Sequence, residues 1–345
     1  LRSFLTVIGA RPQIIKAAAI SRTIAKRSDM AEKIVHTGQH FDQNMSASFL
    51  DDLDIPSPAF NLGINGGTHA EMTARMLVAL EALMISEGPE GILVYGDTNS
   101  TLAGALAAAK LSIPVFHVEA GLRSFNRRMP EEINRILVDH LSSQLFCPTL
   151  SAIENLQNEG IKHGVHHVGD VMYDIALHAR LDANSRSQIL DRLNLQPGGY
   201  KVATVHRAEN TDDPEALAEI ITYLKEAAEE CPVVMPLHPR TRAAAERDGL
   251  DLSPLVITKP VGYFDMVKLI LGARNVLTDS GGLQKEAYFH RVPCITLREE
   301  TEWVETINAG WNRLWKGKDY EQRSEINEYG DGNAAENIVK ILADN

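Results

Sequence analysis

Three acidic positions in one stretch of the chain have the types and spacing for proton transfer. Asp97 closes the apolar run Ile92–Tyr95 in G-I-L-V-Y-G-D-T-N-S-T. Glu119 closes Val115–Val118 in I-P-V-F-H-V-E-A-G-L-R-S. Glu131, beside Glu132, opens a helix in M-P-E-E-I-N-R. Strand ends along one edge of a parallel sheet face a common crevice, and carboxylates gathered there can remove and return protons. Arg123 and Arg135 follow within the same 91–135 stretch, which reads as the wall of an active site.

Cations and glycine turns recur at other strand ends. Gly9-Ala10-Arg11-Pro12, with Lys16 one turn further on, joins a strand to a helix, an arrangement that offers backbone N–H groups and positive charge to an anion. Asp279-Ser280-Gly281-Gly282 repeats the strand–glycine–helix pattern, followed by Gln284 and Glu286. A carboxylate at Glu286 would repel a phosphate but can accept hydrogen bonds from the two hydroxyls of a ribose, so cradle and acid together favour a nucleotide. His206-Arg207 and His238-Pro239-Arg240 each follow a strand, as does Arg298. The remaining histidines read as structural, with His36 and His40 in T-G-Q-H the most open to another role. HExxH, paired CxxC and G-x-S-x-G motifs are absent from the sequence, so a site without metal is expected.

Repeated β-α alternation must position these groups. Strands are expected at Phe4–Ile8, Lys33–His36, Ile92–Tyr95, Val115–Val118 and Leu145–Cys147. Helices follow at Gln13 to about Lys26, Asn44–Leu53, Thr68–Ser86, Ser100–Lys110 and from Pro130, with Thr68 and Glu71 at capping-box spacing. The pattern resets near residue 170. A helix over Val171–Asn194 leads to strands at Tyr200–Val205, Val233–Leu237, Val256–Thr258, Asn275–Leu277 and Pro293–Leu297. This is α/β with two Rossmann-like, doubly wound parallel-sheet domains. Residues 1–170 would carry the carboxylates and 171–330 the nucleotide, with a cleft between them, and 331–345 would form a helix packing back on the body.

Composition narrows the partners. At 345 residues the chain is long enough for two cores, and its net charge of −12 disfavours nucleic acid. Cys147, Cys231 and Cys294 are odd in number and lie in or beside apolar runs, as reduced thiols of a cytoplasmic protein do. The N-terminus has no signal-peptide pattern, and no apolar run is long enough to span a bilayer, so no membrane partner is expected.

The motifs, in order, resemble the non-hydrolysing UDP-N-acetylglucosamine 2-epimerases: G-A-R-P-Q-x-x-K (Gly9–Lys16), H-T-G-Q-H (His36–His40), Y-G-D-T-N-S (Tyr95–Ser100), H-V-E-A-G-L-R (His117–Arg123), P-E-E-x-N-R (Pro130–Arg135), H-R-x-E-N (His206–Asn210), L-H-P-R (Leu237–Arg240) and T-D-S-G-G-x-Q-x-E (Thr278–Glu286). The resemblance implies a GT-B-like fold, an isomerase needing no external cofactor, and a homodimer. It also implies elimination of UDP to a glycal, then re-addition with protonation at C2 from the opposite face, interconverting UDP-GlcNAc and UDP-ManNAc for polysaccharide precursors. By motif, Asp97, Glu119, Glu131 and His206 are the catalytic set. Arg11, Lys16, Arg123, Arg135, Arg207, His238, Ser280, Gly281, Gly282, Glu286 and Arg298 hold the substrate.

Two stretches depart from the commoner bacterial form: F-D-Q-N-M-S after T-G-Q-H, and Asn65-Gly66-Gly67 in place of an arginine-bearing loop. G-A-R-P-Q, with K-E-A-Y-F-H, E-T-E-W-V-E-T and G-W-N-R towards the end, resembles a branch that includes epimerases of modified UDP-sugars, notably UDP-2,3-diacetamido-2,3-dideoxyglucuronic acid. A GT-B glycosyltransferase, a hydrolysing epimerase and a non-catalytic nucleotide-sugar sensor are the competing expectations.

Overall fold

The computed structural model describes residues 1–39 and 55–344. His40 and the helix expected over Asn44–Leu53 lie outside them. The chain divides into two compact units, Leu1–Ile175 with Asn327–Asn345, and Ala176–Ile326.

The first unit runs β1 (Arg2–Ile8), α1 (Arg11–Ala25), β2 (Met30–His36), β3 (Phe60–Asn61), α2 (His69–Glu87), β4 (Gly91–Tyr95), α3 (Asn99–Lys110), β5 (Val115–Val118), α4 (Pro130–Leu141), β6 (Gln144–Cys147), α5 (Leu150–Asn158) and β7 (Val165–His167). The strands form one parallel sheet in the order β3-β2-β1-β4-β5-β6-β7. Leu5, Val7, Val35, Ile92 and Val94 bury one face of the sheet under Met76, Leu80 and Met84 of α2 and Ala103 and Ala107 of α3. Burial of each larger side chain stabilises by ~1.5–3 kcal/mol. The small residues of α3 let its backbone approach the sheet: a Cβ on Gly104 would sit 3.3 Å from Val7 and Val94. The expected capping box forms, with Thr68 Oγ1 accepting from Glu71 N at 3.3 Å and Glu71 Oε2 from Thr68 N at 2.8 Å.

Helix α6 (Val171–Arg186) carries the chain into the second unit. It stops short of Asn194 because Ser187 turns its hydroxyl away, donating to Asp265 Oδ1 at 2.5 Å and accepting from Ile189 N at 3.3 Å. Such local side-chain bonds compete with continued helix. The second unit then holds α7 (Ile189–Arg192), β8 (Lys201–Thr204), α8 (Ala208–Thr211), α9 (Pro214–Glu230), β9 (Val233–Pro236), α10 (Pro239–Arg247), β10 (Val256–Thr258), α11 (Tyr263–Gly272), β11 (Val276–Thr278), α12 (Gly281–Phe289), β12 (Cys294–Thr296), α13 (Val304–Asn308) and β13 (Asn312–Leu314). Its parallel sheet is ordered β10-β9-β8-β11-β12-β13. The final helix, α14 (Ala334–Asp344), returns to the first unit and packs on α1. Strands β3, β7 and β13 and helices α8, α10 and α13 were not expected; all are short.

Both sheets reverse direction once, between β1 and β4 in the first unit and between β8 and β11 in the second. Ligands of open α/β sheets bind outside the strand ends at such a switch point. The loops there are Gly9–Arg11 and Gly96–Thr98 in one unit, and Val205–Arg207 and Asp279–Ser280 in the other.

Candidate active site

In the first unit, Lys16 and Glu119 meet. Lys16 Nζ lies 2.7 Å from Glu119 Oε1, with the side chains 11% and 10% exposed. Glu119 has φ +68°, a left-handed conformation costly for a residue with a Cβ and a form of strain concentrated at functional sites. Gly96, also left-handed at φ +60°, lies against this pair: a Cβ there would sit 3.5 Å from Lys16 Nζ and 3.9 Å from Glu119 Oε1. Arg135, on α4, bonds Asp97 through Nη2 and Glu132 through Nη1, the latter at 3.0 Å. Asn134 Nδ2 donates to the Asp97 carbonyl at 2.9 Å. The helical spacing of P-E-E-I-N-R thus turns Glu132, Asn134 and Arg135 to the Asp97 side, while Glu131 stands exposed on the first turn of α4.

Two expectations are corrected. The N–H groups of Gly9 and Ala10 do not face an anion; both donate to Gln13 Oε1, at 2.8 and 3.1 Å, and Gln13 Nε2 donates to the Tyr95 carbonyl at 2.8 Å. Charge from Arg11 and Lys16, rather than open backbone, is what this turn offers. Glycine is needed at position 9 for a different reason: a Cβ would fall 2.1 Å from Ser100 Oγ and 2.2 Å from Thr37 Oγ1. Arg123, expected on the substrate, is buried and engages Asp139 and Glu159 at 2.7 Å each. Burial opposes its charge, and the two carboxylates more than offset that. For Asp139 burial likewise acts upward, but His117 and Arg123 hold its carboxyl below the usual range.

In the second unit, Asp279 is the organiser. Fully buried, it accepts from His206 N at 2.9 Å, Arg207 N at 2.9 Å and Asn210 Nδ2 at 3.1 Å, and its Oδ1 lies 3.5 Å from His206 Nδ1. The rings of His206 and His238 lie 5.3 Å apart. His238 Nδ1 accepts from Arg240 N at 3.2 Å, capping α10. Ser280 caps α12, its Oγ accepting from Leu283 N at 3.4 Å, and Gly281 and Gly282 open that helix, a type of terminus that can receive an anion. Gly281 allows a close approach, since a Cβ would lie 2.4 Å from Glu302 Oε1. Glu302 in turn takes Arg298 Nη1 at 2.8 Å and Arg207 Nη2 at 3.4 Å. Burial would raise the Glu302 carboxyl, but Arg298 and Arg207 outweigh it and hold it low. Glu286 is buried on the second turn of α12.

Sequence reasoning assigned no site role to Gln13, His117, Asp139, Glu132, Asp279 or Glu302. All but Asp139 lie in a quoted motif, yet a buried anchor carries no signal distinct from a core polar residue.

Two parallel α/β units, one presenting paired cations and carboxylates at its switch point and the other a glycine-opened helix terminus ringed by histidine and arginine, define the class of nucleotide-sugar enzymes with GT-B-like architecture. The UDP-N-acetylglucosamine 2-epimerase family model matches residues 22–343, so the chain belongs to that family of isomerases. It is 50% identical to the UDP-2,3-diacetamido-2,3-dideoxy-D-glucuronate 2-epimerase of Pseudomonas aeruginosa, over 98% of this chain and 99% of that protein. It is 40% identical to the UDP-N-acetylglucosamine 2-epimerase of Methanocaldococcus jannaschii, over 97% of each. The crystal structure of Methanocaldococcus jannaschii UDP-GlcNAc 2-epimerase in complex with UDP-GlcNAc and UDP superposes with a TM-score of 0.92 at 39% identity, covering 100% of both chains.

Proposed function

We propose that the protein inverts C2 of a UDP-2-acetamido sugar, interconverting UDP-GlcNAc and UDP-ManNAc. The observation that carries this is the Lys16–Glu119 pair beside Asp97–Arg135, two cation-held carboxylates at adjacent strand ends. The first unit is the sugar side and the second the UDP side. A carboxylate takes the C2 proton as UDP leaves C1. UDP re-adds, and a second carboxylate, Asp97, Glu119 or Glu131 serving in turn, returns a proton to the opposite face. The C2 proton is poorly acidic, so departure of a stabilised diphosphate drives the step. Arg11, Lys16, His206 and the Ser280-Gly281-Gly282 terminus supply that stabilisation. His238 and Arg298 help hold UDP, and Glu286 the ribose.

A second reading, a diacetamido-uronate as the sugar, is favoured by the 50% identical relative and by the loop before α4. There Glu132 accepts from Ser124 N, Ser124 Oγ and Phe125 N at 2.9 Å each, fixing a turn whose Arg127 and Arg128 are exposed. A guanidinium there suits a carboxylate on C6.

Incubation of each UDP-sugar in D₂O, read by NMR, tests both. Deuterium at C2 with the epimer formed and the UDP-sugar retained supports epimerisation; no C2 exchange with either sugar refutes it. The protein is further proposed to be cytoplasmic and a homodimer; among the described residues no helix is long and apolar enough to cross a membrane. Val78 and Ile85 on α2, and Ile133 and Leu137 on α4, are exposed apolar residues on helices that both pack on α3. They are the proposed contact with a second copy, and light scattering of a Val78→Glu/Ile85→Glu variant should return the mass of a monomer.

A further inference from the structure

His117 belongs to no assigned role, yet it is completely buried and both ring nitrogens are engaged. Nε2 donates to the Gly96 carbonyl at 2.8 Å, and Nδ1 lies 2.7 Å from Asp139 Oδ1. A carbonyl can only accept, so Nε2 carries a proton. Asp139 also accepts Gly121 N at 3.1 Å and Arg123 Nη1 at 2.7 Å on its other oxygen, the pattern of an ionised carboxylate, so Nδ1 carries a proton too. The imidazole therefore donates twice, in opposite directions.

What it joins are the two loops that bear the carboxylates. Val94 pairs with His117 in the β4–β5 register, and Tyr95 with Val118, so Gly96–Asp97 and Glu119 leave the sheet side by side. Gly96 N donates to the Val118 carbonyl at 3.0 Å, and beyond that bond the sheet ladder stops. From there His117 holds Gly96 from below, while Asp139 holds Gly121, two residues past Glu119. Gly96 in turn lies against the Lys16–Glu119 pair.

We propose that His117 is a positioning residue for the C2 chemistry: protonated on both nitrogens, it ties Gly96 to Asp139 and so sets the spacing between Asp97 and Glu119. This rests on the reading of Asp97 and Glu119 as the acid/base groups. A displacement of 1 Å at reacting groups can cost about 10²-fold in rate, and the residues of the bridge, Gly96, His117 and Asp139, are not among those proposed to hold UDP.

The test uses the full-length enzyme. His117→Phe keeps ring volume without donors; His117→Gln can still donate to Gly96. The expected result is a kcat about 10²-fold lower for the Phe variant, with KM and UDP affinity within about threefold, and roughly tenfold recovery in the Gln variant. A folded Phe variant with kcat within threefold of the unmodified enzyme, or equal losses in both variants, overturns the proposal. Should the Phe variant not fold, ¹⁵N-histidine NMR of the unmodified enzyme decides, with His117 identified by its loss in the Gln variant. Two bound ring protons support the bridge; one bare ring nitrogen overturns it. If the unmodified enzyme exchanges no deuterium at C2 with any UDP-sugar, the functional reading fails while the NMR result still judges the bridge.

Discussion

Glu119→Gln separates chemistry from scaffold. The carboxylate lies 2.7 Å from Lys16, with only 10% of its side chain exposed. Deleting one member of a buried ion pair costs ~3–5 kcal/mol where the other charge is left alone. The glutamine keeps a carbonyl for Lys16, and a hydrogen bond to a charged group contributes ~1.5–3 kcal/mol. The difference leaves a net destabilisation of about 1–3 kcal/mol, a fall of several degrees in Tm. The barrier to C2 proton transfer changes more: loss of one acid/base group lowers the rate by ~10²–10⁴, or ~3–5 kcal/mol. On the proposed assignment of the nucleotide chiefly to the second unit, UDP affinity stays within a few-fold. The assays are epimer formation, C2 deuterium exchange, UDP calorimetry and thermal unfolding on one preparation. Glu119→Gly is the second variant: it removes the carbonyl that Gln keeps for Lys16, and relief of a left-handed φ of +68°, which costs roughly 1–2 kcal/mol, offsets only part of that loss, so it should unfold no higher than the Gln variant while being as inactive. Retained C2 exchange with UDP affinity down tenfold or more would refute the reasoning, making Glu119 a nucleotide-side or structural residue.

Three other outcomes are expected. Gly281→Ala places a methyl 2.4 Å from Glu302 Oε1 and 3.0 Å from Trp303 Nε1; Glu302 can yield only by loosening Arg298 and Arg207, so UDP should bind about tenfold more weakly by calorimetry, and unchanged affinity would dismiss the cradle. Asp174 accepts Ala334 N and Ala335 N at the start of α14, and burial raises its carboxyl to about 6. The unfolded value is ~3.9, so between about pH 4 and pH 6 the folded chain holds a proton the unfolded chain has lost. Stability from this group therefore falls as pH rises through that window, by up to about 3 kcal/mol. Asp174→Asn should flatten the slope in denaturant titrations, and an identical slope would show the group ionised throughout. Arg127→Ala/Arg128→Ala should cut kcat/KM at least tenfold for the diacetamido-uronate, the loss of about one charge-assisted hydrogen bond, and leave UDP-GlcNAc within twofold. Parallel losses would remove the loop from specificity.

The strands that end in functional residues were legible because a buried parallel strand is a short apolar run that stops abruptly; Val115–Val118 has the bounds expected of it. The Thr68 capping box was legible for a similar reason, since its two partners lie three residues apart. Elements such as β13 and α10 were not, because three strand residues or a polar helix carry too little periodicity to stand out.

By itself the sequence determined the order of the motifs, the two rounds of β-α alternation, and which residue types stand at the strand ends. Those depend on local spacing and on residue type. Only the tertiary structure decided the pairings: that Lys16 meets Glu119, that Arg135 takes Asp97 while Arg123 is spent on Asp139 and Glu159, and that His117 joins Gly96 to Asp139. These partners come from different strands and helices. Which of several nearby charges a guanidinium or an imidazole reaches is set by sheet order and helix rotation, quantities that no single stretch of chain encodes.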